Sequence, residues 1–402
     1  MAKIKEIGKV VTGKTPSTKN EVYWNENVPF ITPTDLLGTA EVKNTERYIS
    51  KEGLESIKNN SISGVSILVG CIGSDMGNVA YTMQTCATNQ QINAITDVVK
   101  TVNPFFIYYY LSNKKAIFQQ LAGKTTTPIL SKSDFEEIEI PIPSKEEQDR
   151  IVSILSAIDA KIDNNNAIAA ELEGMAKDLY DYWFVQFDFP DENGKPYKSS
   201  GGKMVWNEEL KREIPEGWEV DKLGNRFAIT MGTSPTGNCI NETQEGIPFY
   251  QGKADFGFRY PSIRTYTTKP IRFAQHDDTL LSVRAPVGAL NKSIKRCCIG
   301  RGIAAIHSEE YPSLAYYECS SLQPQFEKYN GDGTTFGCVG KDDLHNISSV
   351  IPPASIANRF ERIVSQLDKR IEVAETESTE LTSLRDFLLP MLMNGQVKVK
   401  GA

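Results

Sequence analysis

Histidine is scarce in this chain. His276, His307 and His345 are the three among 402 residues, and they lie too far apart to form a zinc pattern. No Cys-x-x-Cys pair occurs among Cys71, Cys86, Cys239, Cys297, Cys298, Cys319 and Cys338, so these seven read as reduced thiols of a cytosolic core. No stretch is apolar and long enough to cross a bilayer, and MAKIKEIGKV at the start carries no apolar signal segment. A cytoplasmic location is expected. An excess of positive charge is also missing. The formal net charge is −7, which alone argues against a nucleic-acid binder.

The charge is spread unevenly, and that softens the objection. Residues 1–143 hold 14 basic and 14 acidic side chains, and residues 219–352 again hold 14 and 14. The acidity sits in 144–183, with 4 basic against 9 acidic, and in 184–218, with 5 against 7. Two large neutral segments remain, and a neutral domain can still present a basic face.

The motifs of catalysis are lacking too. Asn103-Pro104-Phe105-Phe106 approaches a methyltransferase Asn-Pro-Pro-Tyr/Phe motif but has no second proline, and it opens an apolar helix. Gly70 to Gly77 reads GCIGSDMG, three spaced glycines with no Lys-Ser/Thr behind them, so it is no phosphate loop. Pro190 to Lys195, PDENGK, compresses the spacing of an acidic nuclease motif and lies in a linker. No Ser-His-Asp set is suggested by position. A non-catalytic chain is expected.

What the sequence does contain is one internal repeat. Gly13 to Pro16 (GKTP), with Pro29 and Phe30, matches Gly232 to Pro235 (GTSP), with Pro248 and Phe249, at an offset of 219. Gly77, Cys86, Ala94 and Ile95 match Gly288, Cys297, Ala305 and Ile306 at 211; Tyr108 and Tyr109 match Tyr316 and Tyr317 at 208. Thr125, Lys132, Asp134, Pro143, Asp159, Ile162, Leu172 and Leu179 then match Thr334, Lys341, Asp343, Pro352, Asp368, Ile371, Leu381 and Leu388, all at 209. Loops of differing length explain the drift in the first half.

Each unit opens with a mixed segment of short strand-like runs, such as 66–72 and 279–285, broken by Gly, Pro and Asn turns. A helix is expected near 104–122. Each unit closes with one long helix. Pro143 breaks the chain, and Ser144 with Glu147 can cap the first of these helices. Ile151, Leu155, Ile158, Ile162, Asn165, Ala169, Leu172, Ala176, Leu179 and Trp183 then recur at steps of four and three, a heptad seam. The copy reads Phe360, Val364, Leu367, Ile371, Ala374, Ser378, Leu381, Arg385, Leu388 and Leu392. Equivalent helices of two homologous units pack about a two-fold axis, which predicts an antiparallel pair. Forty residues of helix make a rod of roughly 60 Å. Expected boundaries are 1–143 for the first domain, 144–184 for its helix, 185–218 for a Gly/Ser/Lys-rich flexible linker, 219–352 for the second domain, 353–394 for the second helix and 395–402 for a tail.

These residues resemble the specificity subunits of type I restriction-modification systems along essentially the whole chain. GKTPS, the run 29–36 (PFITPTDL), residues 181–206 with IPEGWE behind them, and 297–306 (CCIGRGIAAI) carry the similarity. The first unit departs from the pattern by lacking a PEGW entry, and its 89–91 reads Asn-Gln-Gln where the second has Gly300-Arg301-Gly302. The resemblance implies an α+β chain: two homologous mixed α/β target-recognition domains, joined by two long helices packed as an antiparallel coiled coil with pseudo-two-fold symmetry. It implies that each domain reads half of a split, asymmetric double-stranded DNA target. It further implies two modification subunits that bind S-adenosylmethionine and methylate adenine, and restriction subunits that use ATP and Mg to translocate and cleave. This chain itself is expected to hold no cofactor or metal. A helical scaffold that does not read DNA is the alternative.

Base reading needs side chains with paired donors and acceptors on loops or helix starts. The first domain offers Lys14, Ser17, Thr34, Asp35, Ser74, Asn78, Asn89, Gln90 and Gln91. The second offers Ser234, Thr236, Gln251, Lys253, Arg259, Arg264, Arg284, Lys292 and Arg301. For each, ordinary structural hydrogen bonding is the competing reading. Lys14, Lys253, Arg284 and Arg301 are the foremost candidates.

Overall fold

The computed structural model describes residues 1–38, 40–73, 76–122, 128–330 and 337–397. Candidate Ser74 and the matched pair Thr125 and Thr334 lie outside the described residues. The chain forms two compact units, Met1–Ala160 with Leu381–Ala402, and Lys161–Glu380. These differ from the expected boundaries, because each unit takes part of both long helices.

The first unit holds two four-stranded sheets. One runs Lys9–Thr12, Ile92–Thr96, Ser66–Gly70, Val79–Thr82 and is antiparallel. The other runs Arg47–Ile49, Trp24–Ile31, Cys86–Thr88, Ser61–Ile62, with its central pair parallel. All five residues of Ser66–Gly70 and of Ile92–Thr96 are buried, so both strands read as unbroken runs rather than alternating ones.

The second unit carries the same strand order. Its antiparallel sheet runs Ala228–Met231, Ile303–His307, Thr279–Ser282, Leu290–Lys292. Its mixed sheet runs Ile240–Asn241, Thr265–Thr267, Ile247–Tyr250, Cys297–Ile299, Phe273–Ala274, one strand longer. Register follows the sequence offsets. Phe30 faces Ala87 in parallel, as Phe249 faces Cys298. Val11 and Leu68 flank Ala94, as Thr230 and Leu280 flank Ala305.

The two long helices are Lys145–Tyr180 and Ala354–Met393. Ser144 Oγ accepts from the Glu147 N–H at 3.3 Å and caps the first. In the first unit, Ile151, Val152 and Leu155 join Leu392 and Met393 in a core with Phe106, Ile107 and Phe135. There the Tyr109 hydroxyl donates to Asp159 at 2.6 Å, and Arg385 donates to the same carboxylate at 3.0 Å. In the second unit, Ala169 packs with Ile371 and Ala374, the Trp183 and Phe360 rings lie 6.0 Å apart, and Asn165 donates to Glu377 at 2.8 Å. Ile151, Leu155, Phe360, Val364 and Ile371 are buried; Ile158, Ile162, Leu172, Leu179, Leu367, Leu381 and Leu388 are half-buried. Each such side chain contributes about 1.5–3 kcal/mol when fully buried.

Three local expectations need correction. The first long helix, expected over 144–184, is α-helical only over Lys145–Tyr180 and then widens into a π-type turn, Asp181–Val185, with Gln186 N–H donating to Asp181 O at 2.8 Å. The helix expected near 104–122 is two, Pro104–Ser112 and Lys115–Leu121. The linker 185–218 is not a flexible tether. Phe187, Phe189, Ile214 and Trp218 are buried with Trp183, Phe184 and Phe360, and Met204–Asn207 pairs with Arg212–Pro215 as a hairpin. Its aromatics bury enough apolar surface to order a segment whose Gly, Ser and Lys content suggested otherwise.

Six of the seven cysteines are buried free thiols and Cys338 is exposed. Burial pushes the Cys71 and Cys86 thiols up to about 12. Among the described residues no helix is long and apolar enough to cross a membrane, and no group of three His, Cys, Asp or Glu could hold a metal ion.

Candidate nucleic-acid interface

In each unit the matched motifs meet at one turn. In the second unit this is Gly300–Gly302, between Cys297–Ile299 and Ile303–His307. The Gly300 N–H donates to Tyr250 O at 2.8 Å, and the Gly232 N–H donates to Ile303 O at 2.9 Å. Gly232 cannot be replaced cheaply, since a Cβ there would lie 2.2 Å from Gly300 O. In the first unit the turn is Asn89–Gln91. The Asn89 N–H donates to Ile31 O at 3.0 Å, the Gly13 N–H to Ile92 O at 3.1 Å, and a Cβ on Gly13 would lie 2.1 Å from Asn89 O. The glycine that opens GKTP and GTSP is thus a close-approach residue that seats its loop against the turn.

Around the second turn Gln251, Lys253, Arg284 and Arg301, with Gly252, Ser282, Ala285 and Gly302, line a cleft of about 220 Å³. Three of the four foremost candidates therefore converge. Lys253, Arg284 and Arg301 are all exposed. Among the described residues no side-chain hydrogen bond or ion pair engages any of the three. Ser234 Oγ accepts from the Arg301 N–H at 3.3 Å, tying the GTSP loop to the turn. Arg264 braces the cleft wall, donating to Ala254 O and, at 2.6 Å, to Asp255. Thr236, two residues after Ser234, is exposed and touches Cys239 Sγ at 3.3 Å.

In the first unit Lys14, Ser17, Thr34 and Gln90 are exposed. Thr15 Oγ1 donates to Gln90 Oε1 at 2.9 Å. Asn89 and Gln91 hold each other: Asn89 Nδ2 donates to Gln91 Oε1 at 2.9 Å and the Gln91 N–H to Asn89 Oδ1 at 3.0 Å. Asp35 accepts from the Thr32 N–H and hydroxyl, both at 2.7 Å, as a helix cap. Asp255 caps the matching turn through the Gln251 N–H at 2.7 Å. Asn78 accepts from Lys115 at 2.8 Å.

Two candidates are corrected outright. Arg259 is 0% exposed and Lys292 1%. Arg259 pairs with Asp368 at 2.6 Å and Glu173 at 2.8 Å, and Lys292 with Asp368 at 3.0 Å and Asp277 at 3.3 Å. The Arg259 guanidinium also stacks over the Tyr316 ring at 3.7 Å. These cations hold the second domain to helix residues 173 and 368, and DNA cannot reach them. Burial raises the Glu173 carboxyl, and it pushes Glu375, next to Arg259 and Tyr260, up to about 7. Sequence reasoning missed the contact of Thr15 with Gln90 and the close approach of Gly13 and Gly232 to their turns, although the repeated Gly-x-Thr/Ser-Pro motif was the available signal.

Residues 1–174 match the family model of the type I restriction modification DNA specificity domain. The type I restriction enzyme MjaIX specificity subunit of Methanocaldococcus jannaschii is 30% identical, over 99% of this chain and 93% of its own. The MjaX specificity subunit of the same organism is 33% identical over 74% of this chain and 69% of its own. The crystal structure of the type I restriction-modification S subunit from M. genitalium shares the fold, with a TM-score of 0.60 at 18% identity over 100% of this chain and 96% of that one. With the MjaIX subunit 30% identical along nearly the whole of both chains, this chain belongs to the specificity subunits of type I restriction enzymes.

Proposed function

We propose that the chain reads a bipartite, asymmetric DNA target and directs adenine methylation, or cleavage, by partner subunits in the cytoplasm. Each mixed domain reads one half-site with the turn described above. The two long helices act as an antiparallel coiled coil that carries the readers. The observation that carries the proposal is the cleft of Lys253, Arg284 and Arg301, three cations whose side chains have no partner among the described residues, at the place where the first unit presents Gln90. Phosphate contacts supply affinity and base-edge contacts supply sequence information. Lys14, Ser17, Thr34, Asn78, Gln91, Ser234, Thr236 and Gln251 lie near these turns in sequence or space and are proposed as supporting contacts.

The helices also offer apolar surface for protein partners. Ile168, Met175 and Tyr182 recur every seven residues and are 43%, 58% and 38% exposed. Leu384, the counterpart of Met175 at offset 209, is 45% exposed, and Phe387 is 59% exposed. This supports docking of two modification subunits, which would bring S-adenosylmethionine, while restriction subunits would bring ATP and Mg. Methylation mapping of the host genome with and without this gene tests the proposal. A split motif should disappear with the gene. A salt-dependent but sequence-blind DNA shift by the complex would favour a scaffold instead.

A further inference from the structure

The two readers share one framework and differ in the chemistry at its tip. Gln90 and Arg301 occupy the same place in the same turn, at offset 211, and both are exposed. The turn is closed identically, by Ile92 N–H to Asn89 O at 3.2 Å and by Ile303 N–H to Gly300 O at 3.0 Å. The other two cleft cations also lose their charge in the first unit. Arg284, which bridges Cys338, falls where Ile72 bridges Ile129. Lys253 opens the short turn after its strand where Pro33 opens the matching one.

We infer, building on the DNA-reading role proposed above, that the second unit grips a guanine through Arg301 while the first reads an adenine through Gln90. Guanine shows two acceptors in the major groove, O6 and N7, which suit the donor-only guanidinium. Adenine shows a donor and an acceptor, N6–H and N7, which suit an amide. Gln90 keeps that pair available. Its Oε1 accepts from Thr15 and retains a second lone pair, and its NH₂ has no partner among the described residues. Both an amide and a guanidinium can also donate to phosphate, and such a contact would carry no sequence information, so the motif itself separates the two roles in the test.

The Arg301 backbone is also fixed as base reading requires. A Cβ on Gly302 would lie 2.5 Å from Gln251 O, and one on Gly300 3.1 Å from the Phe249 ring. The turn is therefore pressed against the strand end. Lys253 and Arg284, beside this tip, are assigned to flanking phosphates.

The test uses the complete complex with its modification subunits. Methylomes are mapped for the unaltered chain, Arg301→Gln and Gln90→Arg. Arg301→Gln should change or relax one guanine position in one half-site only, with discrimination there falling roughly 5- to 150-fold. Gln90→Arg should alter one adenine position in the other half-site. Binding of the unaltered complex to duplexes carrying 7-deazaguanine at the assigned guanine needs no variant to fold, and it should weaken at that position alone. Lys253→Ala should weaken all sequences alike and lower the salt slope by about 0.9. Arg301→Gln with an unchanged motif and a uniform loss of methylation would overturn the inference, as would indifference to 7-deazaguanine at every guanine. If the unaltered complex methylates no split motif, the DNA-reading proposal itself fails, and this inference with it.

Discussion

Asp368→Asn should be the most damaging single-atom change in the second unit. The Asp368 carboxylate takes Arg259 at 2.6 Å on one oxygen and Lys292 at 3.0 Å on the other, and both cations are at most 1% exposed. Burial alone would raise this carboxyl, but Lys292 and Arg259 more than offset that and hold it below its usual range. Removing one partner of a buried pair costs roughly 3–5 kcal/mol, because a charge is left uncompensated. Glu173 and Asp277 still face Arg259 and Lys292, so about 3 kcal/mol is expected. The matched substitution, Asp159→Asn, weakens a pair with Arg385, which is 30% exposed, and a hydrogen bond from the Tyr109 hydroxyl that the Asn amide oxygen can still accept, and should cost about 1 kcal/mol. Urea unfolding followed by tryptophan fluorescence reads the difference, since Trp183, Trp206 and Trp218 lie in the second unit and Trp24 in the first. The sign with pH is fixed by the lowered carboxyl. Its stability is present above the unfolded carboxylate pKa and is lost as pH falls through the folded value, so the gap to the variant should close below about pH 4. A cost under about 1 kcal/mol, or equal costs at Asp368 and Asp159, would refute the reasoning, which rests on the deeper burial of the Asp368 cluster.

Glu375→Gln should act in the opposite sense: its carboxyl is pushed up to about 7, so ionisation costs stability as pH rises from about 4.5 to 7, and the variant should gain roughly 2–3 kcal/mol at pH 8 and little at pH 5 in the same unfolding assay. Phe360→Ala removes the ring that meets Tyr180, Trp183, Phe184 and Tyr317, and should cost about 3–5 kcal/mol in thermal or urea unfolding. One heptad inserted between Ala169 and Leu172 keeps the seam and lengthens that helix by ~10.5 Å; methylation mapping should show the same half-sites with about one to three more unread base pairs between them.

Much of this architecture was legible because it is written twice. Constant offsets aligned the strands that pair in the same register, and steps of four and three marked the helix faces that are buried. The glycines of GKTP and GTSP stood out by recurrence, though only the close approach of Gly13 and Gly232 to their turns explains them. The features that stayed hidden depend on contacts distant in sequence. Arg259 and Lys292 look like surface cations until Asp368 arrives from a helix more than 70 residues away. The segment 185–218 looked loose because its Gly and Ser were weighed above Phe187, Phe189 and Trp218, whose partners include Phe184, just before the segment, and Tyr197 within it. Lys253, Arg284 and Arg301 could each be named from sequence, but their convergence could not be located, since three separate loops bring them together.

The most direct test of two independent readers on one chain is to exchange residues 219–352 for the matching domain of a relative and map methylation in the full complex. One half of the split motif should change while the other half stays as it was. A motif altered in both halves at once would contradict independent reading by the two domains.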